Sequence, residues 1–444
     1  MAREVESLLT LVFAGRRKSG RLDLEAVEMA TRAALHRAGA TVLEELLALP
    51  DEGPRQVPCG CGGSAHYHER RPKQLLTVLG RVETERPYYL CPACHRGQSP
   101  RDQELDVEGT AYSPGVRRMM AVVGSETSFD QGREQLQLLA GLEVTTKAVE
   151  RQAEALGADI AAQEQEQAAF QSNLQLPLPQ GAGAEIPALY VEMDGTGVPV
   201  VSADSEGRAG KQGAQARTRE VKLGCVFTQT TVDEHGRPRR EEGSTTYTGG
   251  IETAEAFGRR ICREAYQRGW SRARKKVVIG DGAPWIWNLT AEHFPEAIQI
   301  VDLYHARQHL WELSGKLWPR HERSRRNWTR RREQQLEGGR IESLLRALRL
   351  LSPTTPETAE LVRHDIDYFA ANAARMRYPA FRRQHLFVGS GVVEAGCKTL
   401  VGTRLKRSGM FWRVRAANAI IALRCHRLSG KFEDYWENRR ARAA

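Results

Sequence analysis

The chain has 444 residues and is 41% hydrophobic, enough for two to four domains with ordinary cores. No apolar run approaches the roughly 18 residues of a membrane span. The opening segment MAREVESLLTLVFAGRRKSG has acidic residues before its short apolar patch and no small-residue cleavage site after it, so a cytoplasmic protein is expected. A net charge of +10 favours a polyanionic partner.

Residues 23–49, rich in Ala and Leu, read as a pair of helices within an N-terminal helical region, 1–52. CGCGG at 59–63 and YYLCPACHRG at 88–97 then bracket LLTVLGRVETERPYYL, which reads as a hairpin turning at Gly80. Two cysteine knuckles around a hairpin form a zinc-ribbon-like module over 53–110, with Cys59, Cys61, Cys91 and Cys94 as ligands of a structural Zn²⁺. The first knuckle is a tight C-x-C, so His66, His68 or His95 could substitute. The other cysteines, Cys225, Cys262, Cys397 and Cys425, lie among apolar neighbours and read as buried thiols.

Residues 111–172 read as short helices joined by tight turns, a helix-turn-helix-like unit. Pro114 opens the first helix and Thr145 or Thr146 caps the third. Lys147, Arg151 and Gln152 stand at the start of that third helix, where a DNA reader would place them. A plain helical bundle fits the same pattern. A Pro- and Gly-rich linker follows at 173–187.

Five strands are readable in the second half. They are ALYVEMD, EVKLGCVFTQ, STTYTG, KKVVIGD and AIQIVD, with helices after the third, fourth and fifth. Three meandering strands followed by alternating helix and strand imply a mixed sheet covered by helices. Three of these strands end in a carboxylate, at Asp194, Asp281 and Asp302. Asp-Gly is ordinary turn chemistry, and Asp194 alone could be a turn residue. If strands one and four are neighbours, however, Asp194 and Asp281 stand side by side and call for a cation. Mg²⁺ suits such oxygen ligands. Further on, Ser390 can cap a helix carrying Glu394 and Lys398 one turn apart, followed by Arg404, Lys406 and Arg407. The run 312–332 holds eight Lys/Arg against two Glu, with Trp318 and Trp328 interleaved. It reads either as a phosphate-contacting surface or as a solvated helix face.

The segments YVEMDGTGVPV, REVKLGCVFTQT, VVIGDGAPWIWNL, IVDLYHARQHLWEL and LFVGSGVVEAGCKTLVGTRLKRSGMFW closely resemble bacterial insertion-sequence transposases of the ISKra type, relatives of the Mutator-like group. The resemblance covers nearly the whole chain. It implies an α+β multidomain protein whose residues 188–444 form a ribonuclease H-like DDE catalytic domain with an all-helical insertion at about 303–388. It implies the triad Asp194, Asp281 and Glu394 holding Mg²⁺ or Mn²⁺, with Asp302 as the rival for the second acid and His305 as a helper orienting a phosphate or a water.

The expected activity is binding of the element's ends, followed by Mg-dependent DNA cleavage and strand transfer by a homodimer or larger assembly. DNA contacts are expected from Lys147, Arg151, Gln152, Arg217, Arg219, Arg320, Arg323, Arg325, Arg326, Arg330, Lys398, Arg404 and Lys406. Two alternatives remain. One is a ribonuclease H-like structure-specific nuclease or resolvase. The other is a non-enzymatic sequence-specific DNA-binding regulator.

Overall fold

A computed structural model describes residues 17–18, 21–48, 53–173, 183–208 and 216–443. The first 16 residues and most of the expected linker, 174–182, lie outside the described residues. The protein is α+β with mixed sheets. No described helix is long and apolar enough to cross a membrane. The chain divides into two compact units, Met1–Leu156 with Glu433–Ala444, and Gly157–Phe432. The division falls within the long helix Thr146–Asn173 and not at the expected linker.

In the first unit, residues Leu24–Leu47 form one helix and not the expected pair. Asp23 caps its start by accepting from the Ala26 amide. Gly39 lies inside it, where a side chain would press against Leu79. Antiparallel strands Ser64–Thr77 and Gly80–Leu90 form the expected hairpin through the two-residue turn Val78–Leu79. Gly80 takes φ +121°, open to glycine at little steric cost. Short strands Gln56–Pro58 and Gly97–Gln98 complete a four-stranded sheet. Leu75 and Val82 of the hairpin, with Ala40, Leu43 and Leu47 of the first helix, build one core.

Pro114–Glu126, Phe129–Gln135 and the start of Thr146–Asn173 build another core through Val116, Met120, Leu136 and Val149. Pro114 sits in the first turn behind the Ser113 cap, and Thr145 caps the third helix by accepting from the Ala148 amide.

The second unit is built on a sheet whose main strands are β1 (Ile186–Pro199), β2 (Thr218–Val232), β3 (Thr246–Gly250), β4 (Ala273–Gly280) and β5 (Ile298–Val301). Their order is β3-β2-β1-β4-β5. β2 runs antiparallel to both β1 and β3, while β4 runs parallel to both β1 and β5. An unanticipated short strand, Pro238–Arg240, pairs with the end of β2.

Helices α1 (Ala254–Gln267) and α2 (Pro284–His293) follow β3 and β4. After β5 come α3 (Leu303–Leu317), α4 (Glu322–Glu337), α5 (Ile341–Arg349), α6 (Pro356–Ala371) and α7 (Tyr378–Arg383), an all-helical stretch as expected. Then come α8 (Gly391–Gly396), prolonged by a π-helical turn at Cys397–Gly402, and α9 (Val414–Leu428). Leu189, Val191 and Met193 of β1, with Val277 and Ile279 of β4, are completely buried, as strands covered on both faces require. Cys225, Cys262, Cys397 and Cys425 are all buried thiols.

Candidate active site

β1 does not stop at Asp194. It runs five residues further to Pro199, because β2 continues to pair with it, Asp194 opposite Leu223 and Pro199 opposite Thr218. What ends near Asp194 is the partner on the other side. The β1–β4 ladder closes at Glu192 opposite Ile279. Continued two residues beyond the end of the ladder, the same register would bring Asp281 opposite Asp194. The sheet therefore opens between β1 and β4 at two carboxylates. Burial pushes the Asp194 carboxyl up, and the charge of Asp281 adds to the rise; the Cys397 thiol, the Gly195 amide and His305 oppose it. Asp281 Oδ1 accepts from the Ala283 amide at 2.8 Å, which shapes the turn into α2.

Asp302 is placed differently. It follows β5, is completely buried and caps α3. One oxygen accepts from the amides of Tyr304 and His305, the other from the amide and hydroxyl of Ser390. Burial alone would raise its pKa, but the His305 and Ser390 donors outweigh that and hold it below the usual carboxylate value. Ser390 thus does not cap α8 with its side chain, as expected from sequence; its hydroxyl is committed to Asp302. The result fastens the segment before α8, and with it Glu394, to the end of β5.

His305 Nδ1 lies 3.8 Å from both Asp302 Oδ2 and Glu394 Oε1. These are electrostatic contacts, too long for hydrogen bonds. The Asp302 carboxylate, helped by Asp281 and Asp194 and opposed by burial, raises the imidazole to about 9. Ligand atoms of Asp302, His305 and Glu394 fall within 4.8 Å of one another, whereas Asp194, Asp281 and Glu394 do not converge that closely. A cleft of about 470 Å³ is lined by Asp194, Thr196, His305, Glu394, Lys398 and Lys406, among others. Asp281 is not on its wall. The Tyr368 hydroxyl of α6 donates to the Asp281 carbonyl at 2.9 Å, and the Tyr368 ring occupies the space a side chain at Gly282 would need.

The basic residues separate by burial. Lys398 and Lys406 are exposed on the cleft, with Lys406 Nζ donating to Thr196 Oγ1. Arg320, Arg323, Arg326 and Arg330 are exposed at and along α4, and Arg325 is half-buried. Arg217 is exposed, while half-buried Arg219 donates to the Asp204 carbonyl. In the first unit Lys147 and Arg151 are exposed and Gln152 is half-buried. Arg404 corrects the expectation. It is fully buried, its guanidinium lies 5.0 Å over the Trp412 ring, and it cannot meet DNA from there.

The four knuckle cysteines come together, with Sγ atoms of Cys59 and Cys94 at 3.6 Å and of Cys61 and Cys91 at 3.7 Å. A tetrahedral site with metal–sulfur bonds near 2.3 Å needs sulfurs about 3.8 Å apart, so the set fits a metal ion. The backbone amides of Cys94 and Ala93 hold the Cys91 thiol down, to about 7. None of His66, His68 or His95 joins this cluster.

Glu192 escaped the sequence reading. It lies on the same face of β1 as Asp194, completely buried, and accepts from the Val393 amide of α8 at 2.8 Å. Burial pushes it up to about 8, with help from Asp302 and Glu394. The signal was a carboxylate inside an otherwise apolar run. The contact of Tyr368 with Asp281 left no such signal, because 87 residues separate the partners. Set against known proteins, the chain matches no family model and no curated protein.

Proposed function

We propose that this chain is a DNA transposase of the DDE type, with a ribonuclease H-like catalytic domain over residues 188–444. The observation that carries the reading is the β3-β2-β1-β4-β5 order, with a β1–β4 register whose continuation would bring Asp281 opposite Asp194. Glu394 on α8, tied to the sheet by Glu192 and through Ser390 to Asp302, supplies the third acid.

The oxygen-only donor set of Asp194, Asp281 and Glu394 suits Mg²⁺, which would stabilise the attacking and leaving oxygens of an in-line displacement at phosphorus. Lys398 and Lys406 flank the cleft and would neutralise the phosphates of a bound strand. His305 would orient a phosphate oxygen or the attacking group. No side chain is needed as nucleophile: water cuts the strand, and the freed 3′-hydroxyl attacks target DNA. Asp302 keeps a positioning role, because four donors already satisfy its oxygens.

The cysteine cluster would hold a structural zinc ion and the helices after Pro114 would read the element's ends, while the exposed arginines of α4 would follow the DNA backbone.

The test is incubation of the full chain with labelled DNA from the element's ends and Mg²⁺, assayed for cleavage and for joining. Cleavage with joining supports the reading. Cleavage without joining would favour a structure-specific nuclease, and binding without either would favour a regulator.

A further inference from the structure

A second set of metal-binding side chains lies in the helical insertion, away from the cysteines. His309 on α3 meets His364 and Asp365 on α6, with ligand atoms of all three within 4.8 Å of one another. Asp365 is buried, His309 is half-buried and His364 is largely exposed. His309 Nδ1 lies 2.9 Å from Asp365 Oδ1, and His364 Nδ1 lies 3.7 Å from the same oxygen. We propose that these three residues form a zinc-class metal site that clamps α6 to α3.

Three observations carry it. First, consecutive residues on a helix normally point about 100° apart around its axis, yet the ligand atoms of His364 and Asp365 converge with His309. A simple His–Asp pair explains His309 and leaves His364 without a role. Second, among the described residues no Lys or Arg pairs with Asp365, so its buried carboxylate has only imidazoles for partners. A divalent cation supplies the missing charge. Third, the spacing suits the ion. Bonds of about 2.0–2.1 Å in a tetrahedron set ligand atoms about 3.3 Å apart, and 2.9 and 3.7 Å lie on either side of that. Two imidazoles and one carboxylate select Zn²⁺ or a similar borderline ion over Mg²⁺. The exposed side at His364 leaves room for water as the fourth ligand.

The site has a structural consequence. The His309 ring stacks on Tyr368 with centroids 3.9 Å apart, and Tyr368 donates to the Asp281 carbonyl. A metal on His309 would fix the ring against which Tyr368 lies, and so steady the turn that carries Asp281. This last step rests on the proposed catalytic role of Asp281; the metal site does not.

The experiment counts zinc retained by the full chain after gel filtration into metal-free buffer. Wild type should hold one more zinc ion per chain than His364→Ala, an exposed substitution that should not disturb folding. With Co²⁺ in place of zinc, His364→Ala should lose a weak visible band while the intense thiolate band of the cysteine cluster stays. Equal zinc counts in wild type and His364→Ala overturn the site. So does a cobalt spectrum that responds only to Cys91→Ser. Neither readout depends on DNA cleavage, so failure here is separable from failure of the transposase reading.

Discussion

His305 Nδ1 stands 3.8 Å from Glu394 Oε1, and it joins two parts of the chain that meet only in the folded protein. Asp302 Oδ2 also lies 3.8 Å from Nδ1, and the ligand atoms of all three residues fall within 4.8 Å of one another. With its pKa raised to about 9, the imidazole is positively charged at neutral pH and offsets the carboxylates around it. His305→Gln should therefore slow cleavage by about 10²-fold, the scale of a lost acid–base or orienting group, while end binding persists. Unchanged cleavage kinetics would reduce His305 to a structural counter-charge.

Asp194→Asn and Asp302→Asn should fail in different ways. The first keeps the shape of a half-exposed residue and removes its charge, so cleavage and joining should vanish with little change in the melting temperature. On the proposed reading Asp281→Asn and Glu394→Gln should behave alike, and their effects should not add, because the three would act as one unit. Asp302→Asn turns an amide toward a set of donors, costing about 1–3 kcal/mol for a buried group left badly paired. Its signature is a lowered melting temperature with residual activity. If Asp302→Asn melts like wild type but is inactive, the roles of Asp281 and Asp302 are reversed.

Glu192 gives a pH dependence. An unfolded glutamate ionises near 4.5, whereas in the folded protein burial delays this to about 8. The unfolded state therefore holds fewer protons between those values, and stability falls as pH rises from 4.5 through 8. Denaturant midpoints taken without added Mg²⁺ should show this slope, and Glu192→Gln should flatten it. A slope that survives Glu192→Gln belongs to another group.

Charge removal should separate surface from core. Replacing Arg320, Arg323, Arg326 and Arg330 with Ala should weaken DNA binding across sequences and reduce the salt slope by roughly one for each phosphate that is no longer neutralised. Arg404→Ala should leave that slope unchanged and lower the melting temperature, since the buried guanidinium packs on Trp412. Identical salt slopes for wild type and the quadruple variant would show that α4 is only a solvated face.

If the cysteine cluster holds zinc as proposed, Cys91→Ser should release one ion and destabilise the hairpin Ser64–Leu90, because that ion would bridge the sulfurs of both knuckles. Metal analysis together with proteolysis of the first unit reads both effects. A wild-type zinc count in Cys91→Ser rules the cysteine cluster out as the site.

Much of the scaffold was written in local pattern. Alternation of apolar residues marked the central strands, since side chains on a strand repeat every second residue. Pro284 in the first turn of α2 marked a helix start, and the knuckle spacings brought Cys59, Cys61, Cys91 and Cys94 to one point. The aspartates at 194, 281 and 302 were legible because each interrupts an apolar run, although β1 runs on past Asp194 to Pro199.

Tertiary structure decided how open each of those aspartates is: Asp194 lines the cleft, whereas Asp302 is buried and its oxygens are already satisfied. The β1–β4 ladder, which ends two residues short of Asp194 and Asp281, joins parallel strands whose starts lie 87 residues apart, a relation no local period encodes. Asp302 is closed off by Ser390, 88 residues later. Arg404 looked like its basic neighbours and was taken into the core, because burial depends on what the remainder of the chain packs against that turn. His309 and Asp365, on helices 56 residues apart, meet only when α6 packs on α3. Sequence periodicity reports the face a residue takes on its own element. The meeting of two faces is set by long-range packing, whose hydrophobic driving force is non-directional and leaves no short-range mark in the sequence.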